Sequence, residues 1–155
     1  MNHQRRTVLK LGTALGLAVS AGLLGPAQAW AAQQAWNAKA FEAKDVEGVI
    51  AALGGGDAQD SDQITLVAPD IAENGAVVPV GIVSALPNTT EVAILVPNNP
   101  NTLTAWFEIP EGTLADVSTR IKMGQTSDVY ALVKADGSFY LAHKEVKVTL
   151  GGCGG

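Results

Sequence analysis

Glu145-Val146-Lys147-Val148-Thr149-Leu150 alternates polar and apolar residues, so Val146, Val148 and Leu150 share one face of an extended strand. That face is expected to be buried. Upstream, segments rich in β-branched residues occupy 64–68, 76–84, 92–96, 103–109, 117–123 and 129–134, and the quoted stretch ends a longer one over 139–150. Turn signals separate them: Glu73-Asn74-Gly75, Pro87-Asn88, Pro97-Asn98-Asn99-Pro100, Pro110-Glu111-Gly112 and Asp136-Gly137. Asn74-Gly75 reads as a hairpin turn. No helical pattern alternates with these strands, which disfavours a parallel βαβ sheet. Many short strands in about 90 residues suit a mostly β fold, an immunoglobulin-like antiparallel β-sandwich over 63–150. Pro79 removes a ladder donor, so segment 76–84 is expected at an edge or with a bulge.

Residues 30–62 have a different texture. Val46, Val49, Ile50 and Leu53 fall at i, i+3, i+4 and i+7, with Lys39, Glu42, Lys44 and Glu47 on other faces. This predicts one N-terminal amphipathic helix over 36–53, ended by Gly54-Gly55-Gly56. The acidic stretch 57–62 is expected to be a solvated loop.

The first 29 residues hold Arg5, Arg6 and Lys10 but no acid, followed by an apolar run over 11–24 diluted by glycine, serine and threonine. At ~1.5 Å per residue that run reaches about 21 Å, short of the ~30 Å hydrocarbon core, so it predicts a signal peptide and no stable membrane insertion. Ala27-Gln28-Ala29 offers a cleavage site. Gln4-Arg5-Arg6-Thr7-Val8-Leu9-Lys10 resembles a twin-arginine export signal, with Gln4 and Val8 departing from the usual hydroxyl residue and phenylalanine. Such export moves folded protein into the periplasm. No cofactor fingerprint explains folding before export, which points to co-export with a tightly bound partner lacking its own signal.

The 155 residues carry 15 acidic and 10 basic side chains. Removing residues 1–29 takes away three bases and no acid, leaving 7 basic against 15 acidic residues, a formal charge of −8. Such a surface is a poor match to a phosphate backbone, so nucleic acid is not expected as a partner. One cysteine and two histidines, His3 and His143, cannot build the usual metal or triad sites. The inventory for a self-sufficient oxidoreductase or hydrolase is missing, and no metal or other cofactor is expected.

Directly after the last strand stand Gly151-Gly152-Cys153-Gly154-Gly155. Four glycines around one thiol offer no side chain to bury and lose much backbone entropy on ordering, so the segment is expected to be a flexible arm. Five extended residues reach roughly 17 Å, enough to put Cys153 into another protein's cleft. A thiol on such an arm suits covalent carriage of sulfur species, because thiolate attack and S–S exchange make and break the link near neutral pH. Lys144 and Lys147 would favour the thiolate and the terminal carboxylate would oppose it, so an external catalyst is expected to drive attachment. Two other uses stay open on the residues alone. One is a thiocarboxylate carrier activated at Gly155; the other is an exported structural sandwich joined through a Cys153 disulfide. His143, the pair Trp106-Phe107, Arg120 and Lys122 are read as ordinary strand residues and not as site residues.

Together, Ile71-Ala72-Glu73-Asn74-Gly75-Ala76-Val77-Val78-Pro79-Val80, the Asn99-Pro100 turn, Arg120-Ile121-Lys122-Met123 and Val146 through the Gly-Gly-Cys-Gly-Gly pentapeptide resemble the SoxY family. The pentapeptide matches without departure. The resemblance implies that Cys153 holds sulfur intermediates of thiosulfate oxidation, flanked by Gly151, Gly152, Gly154 and Gly155, in a heterodimer with an immunoglobulin-like SoxZ subunit. It further implies transient visits to SoxAX, which attaches thiosulfate oxidatively, SoxB, which releases sulfate, and SoxCD, which oxidises the remaining sulfane sulfur. The chain itself would be a carrier acted on by these enzymes.

Overall fold

The structure, a computed structural model, describes residues 37–149. The expected signal segment 1–29 and the arm 151–155 lie outside the described residues. Chain order is α1 (Ala38–Glu42), α2 (Val46–Ala52), β1 (Ala58–Asp60), β2 (Ile64–Val67), β3 (Ile71–Ala72), β4 (Val78–Ser84), β5 (Thr89–Leu95), β6 (Leu103–Glu108), β7 (Asp116–Ile121), β8 (Ser127–Ala135) and β9 (Ser138–Val148).

The strands build an immunoglobulin-like sandwich. One sheet has the order β1-β9-β8-β5-β6, with β3 also paired to β9, and the other the order β2-β4-β7. Val78, Val80 and Ile82 of β4 meet Val92, Ile94, Val129, Ala131, Val133 and Val146 of the larger sheet in the core between the two layers. The opposite face of the larger sheet is covered as well. Ala40, Val49 and Ile50 of the helices pack there on Ala93, Leu95, Leu132 and Phe139. This explains the uninterrupted run Val92-Ala93-Ile94-Leu95-Val96, all buried, because alternate side chains enter two different cores.

Four features depart from the sequence reading. The single helix over 36–53 is two helices. The Asp45 carboxylate accepts from the Gly48 N–H at 2.6 Å and so caps a new helix start, while Ala43 is extended. Asn37 keeps the pieces together, capping α1 through its Oδ1 and donating from Nδ2 to the Ala52 carbonyl at 3.1 Å. Second, β1 lies in the stretch read as a solvated loop, and it pairs with Phe139-Tyr140-Leu141. Third, β1 and β3 run parallel to β9, so the sandwich is antiparallel except at these two short pairings. Fourth, β4 is the middle strand of its sheet, yet its pairing with β2 stops at Gly81, so Pro79 sits where only β7 is a neighbour. The missing N–H is tolerated at a locally single-sided stretch.

The glycine triplet has a packing reason besides chain reversal. Gly54 adopts φ +86°, and a Cβ on Gly55 would stand 2.6 Å from the Phe139 ring and 2.7 Å from Ile50 Cγ2. The chain leaving α2 therefore presses flat on the sheet. Truncating Ile50→Ala, 4% exposed, should lower unfolding stability by about 2–4 kcal/mol in urea titration, whereas Val83→Ala, 41% exposed, should change it by less than about 1 kcal/mol.

Candidate functional site

The segment of interest leaves the sandwich at the end of β9, and both edges of that strand are held up to its last residues. On one edge Lys147 N–H donates to the Asp70 carbonyl at 3.0 Å and Thr149 N–H to the Ala72 carbonyl at 3.1 Å. On the other, Val148 N–H donates to Thr126 Oγ1 at 3.0 Å, continuing the ladder past the Ser127↔Val146 pair of β8. The strand end is thus closed on both sides where a terminal strand would ordinarily fray.

Gly75 packs beneath it. Its carbonyl accepts from Met123 N–H at 2.7 Å, and an added Cβ would overlap the Met123 carbonyl and come 2.9 Å from Val148 Cγ1. Asn74 Oδ1 accepts from Ala76 N–H at 2.9 Å, tightening the turn. The sequence reading made Asn74-Gly75 a hairpin turn. The turn instead joins β3 to β4, strands of different sheets, because β3 is captured by β9.

Lys144 Nζ lies 2.9 Å from Asp70 Oδ1 and donates to the Ala68 carbonyl at 2.7 Å, tying the β2–β3 connection to β9. The Lys144 hydrogen bond, and then its charge, hold the Asp70 carboxyl below the usual carboxylate range. Lys147 makes a looser 3.9 Å pair with Glu145. Both lysines proposed from sequence to favour the thiolate are therefore already facing carboxylates.

Cys153, Gly151, Gly152, Gly154 and Gly155 lie outside the described residues, so the structure places their root and not the thiol. Cys153 follows Thr149 by four residues, which caps its reach at roughly 13–14 Å from a fixed origin. His143 is exposed on the outer face and stacks on Tyr130 at 5.2 Å between ring centroids. It precedes Thr149 by six residues, about 20 Å along the strand. Burial, followed by the charges of Asp128, Glu47 and Asp60, pushes the Tyr130 hydroxyl above its ordinary range. Phe107 packs toward the inter-sheet core and Trp106 toward the helix-covered face, where its Nε1 donates to Glu91 Oε2 at 3.1 Å. Glu91 also pairs with Lys134 at 2.8 Å. Arg120 and Lys122 are exposed at the end of β7 nearer the arm root. Among the described residues no group of three or more His, Cys, Asp or Glu side chains is placed to hold a metal, and no helix is long and apolar enough to cross a membrane.

Sequence reasoning missed the grip on β9. A two-residue strand such as β3 has no periodicity, and the Thr126 hydroxyl acts through a backbone contact that no motif announces.

The family model for sulfur oxidation protein SoxY matches residues 50–153, a span that takes in β9 and runs to Cys153 itself. Among solved structures, the sulfur carrier protein SoxY from Chlorobium limicola f. thiosulfatophilum is similar at 37% identity and a TM-score of 0.60, over 66% of this chain and 93% of that one. The superoxide reductase (neelaredoxin) from Ignicoccus hospitalis is similar at 18% identity and a TM-score of 0.50, over 56% of this chain and 80% of that one, a likeness of fold alone. No curated protein matches the sequence. With the matched span covering most of the described sandwich and reaching the thiol, the chain belongs to the SoxY family.

Proposed function

We propose that this chain carries sulfur intermediates of thiosulfate oxidation on the Cys153 thiol and presents them to successive enzymes from the side-chain-poor arm 151–155. The observation that carries the reading is the family match running through Cys153, joined to a strand whose end is held four residues before the thiol. A fixed root with a short leash confines the cargo to a small volume, which raises its effective concentration for each visiting catalyst. Glycine neighbours keep the arm narrow enough to enter a cleft.

In the proposed cycle, a SoxAX-type haem enzyme joins the outer sulfur of thiosulfate to Sγ, the thiol proton leaves, and two electrons pass to the haem. A SoxB-type hydrolase then adds water at the terminal sulfonate and releases sulfate, leaving a persulfide. Where present, a SoxCD-type enzyme oxidises the remaining sulfane sulfur. The chain catalyses none of these steps and needs no cofactor. It works as a heterodimer with a SoxZ-like subunit in the periplasm, reached through the twin-arginine-type signal with the partner riding along.

Intact mass spectrometry of native protein from cells oxidising thiosulfate should reveal thiosulfonate or polysulfane adducts on the C-terminal peptide, all removed by reductant. Only free thiol and disulfide dimer would contradict carriage. In a reconstituted system Cys153→Ser should lower thiosulfate-dependent electron release at least about a hundredfold, whereas trimming Gly155 should leave loading intact. Loss of loading on trimming alone would favour the thiocarboxylate mechanism. Replacing both Arg5 and Arg6 by Lys should strand this chain and its partner in the cytoplasm together, as read by cell fractionation. Partner export without this chain would overturn co-export.

A further inference from the structure

Asn74-Gly75 is the one asparagine–glycine pair in the chain, and Asn74 is exposed. The carbonyl carbon of an asparagine side chain is open to attack by the backbone nitrogen of the next residue. Glycine, with no Cβ, hinders that attack least. The turn between β3 and β4 arranges the three groups such a reaction needs.

The electrophile is held. Asn74 Oδ1 accepts from Ala76 N–H at 2.9 Å, which folds the side chain back along the chain in a ring that passes through the Gly75 nitrogen. The same hydrogen bond meets the oxygen on which negative charge gathers when Cγ becomes tetrahedral, the placement of an oxyanion donor. The nucleophile is unengaged: among the described residues Gly75 N–H donates to no group, while the Gly75 carbonyl is pinned by Met123 N–H at 2.7 Å. Asn74 Nδ2, the leaving group, likewise has no hydrogen-bond partner among the described residues.

The other described asparagines lack this combination. Nδ2 of Asn37, Asn88, Asn98 and Asn99 is engaged, by Ala52, Asp136, Thr126 and Lys122 in turn. Asn99 is followed by Pro100, which has no N–H to lose, and Asn101 by the fully buried, β-branched Thr102. Asp136-Gly137 shares the small follower, but its Oδ1 is taken by Asn88 Nδ2 and its ring closure has to expel water from a carboxyl group.

We propose that Asn74 is a site of spontaneous backbone modification that loosens the end of β9. The Gly75 nitrogen bonds to Asn74 Cγ, the Cγ–Nδ2 bond breaks, and ammonia leaves with the proton that the Gly75 nitrogen gives up, closing a succinimide ring. One water then opens the ring. Cleavage of the new bond to Cγ yields aspartate, and cleavage of the bond to the backbone carbonyl yields isoaspartate. No oxidant, reductant or enzyme enters the balance. Isoaspartate adds a methylene to the main chain where Gly75 fits between the Met123 carbonyl and Val148 Cγ1 with no room for a Cβ. Two residues upstream, the Ala72 carbonyl holds Thr149 N–H at 3.1 Å, so the lengthened turn pulls on the strand end from which residues 150–155 continue. The inference stands apart from whatever Cys153 carries.

The test ages the exported chain, with any co-purifying subunit, in warm, mildly alkaline buffer and locates isoaspartate by peptide mapping with isoaspartyl methyltransferase labelling. Asn74 should convert at least about tenfold faster than any other asparagine, and at least as fast in the folded protein as in the urea-unfolded chain. A folded rate below the unfolded one, or faster conversion at another asparagine, would overturn the site. In aged protein carrying isoaspartate, the Val148 and Thr149 amides should exchange at least about tenfold faster than in fresh protein. Asn74→Ser keeps an oxygen to accept from Ala76 N–H but has no amide to cyclise, and after the same ageing both its amides should stay as slow as at the start. Unchanged exchange in the isoaspartate form, or equal acceleration in Asn74→Ser, would refute the link to the strand end.

Discussion

Every hydrogen-bonding group of a buried strand must find a partner, and a strand that also launches a functional segment must find them up to its last residue. β9 meets this demand by taking β8 along one edge and two fragments, β1 and β3, along the other. A free edge at β9 would leave its C-terminal half to fray, and the origin of the residues that follow would wander with it. The small parallel strands thus have a purpose that their length conceals.

Burial on two faces supplies the stability behind this arrangement. The larger sheet is the shared wall of two apolar cores, one facing the three-stranded sheet and one facing the helices. Around Glu91 the outer wall turns polar without becoming unsatisfied, since its carboxylate accepts from Trp106 and pairs with Lys134, whose ammonium lies over the Phe139 ring. The chemistry proposed for the chain belongs to residues that follow this packed body in sequence.

Much of this was legible because period-two alternation and turn residues act locally. β2, β4 through β9 and the β4–β5, β5–β6, β6–β7 and β8–β9 turns follow from those two signals. Most of what escaped was set by contacts distant in sequence. Ala58-Gln59-Asp60 is polar and short, yet its backbone completes an edge. Asp45 is the local exception: it lies inside the stretch read as one helix, and its carboxylate caps a second helix start. Asn74-Gly75 has the composition of a hairpin and the role of a sheet-to-sheet crossing, because capture of β3 by β9 decides where the chain goes next. The thiol stood out by composition, while Thr126, Asp70 and Gly75, which fix the strand end, have ordinary surroundings in the sequence.

Amide hydrogen exchange at Lys147, Val148 and Thr149 tests most directly whether the sandwich sets the origin of the Cys153 arm. With both edges closed, these three amides should exchange at least about a thousandfold more slowly than in an unstructured peptide, close to the rate of the central β9 amides. Exchange within about tenfold of the unstructured rate would show that the strand end is open, and the fixed root on which this account stands would be wrong.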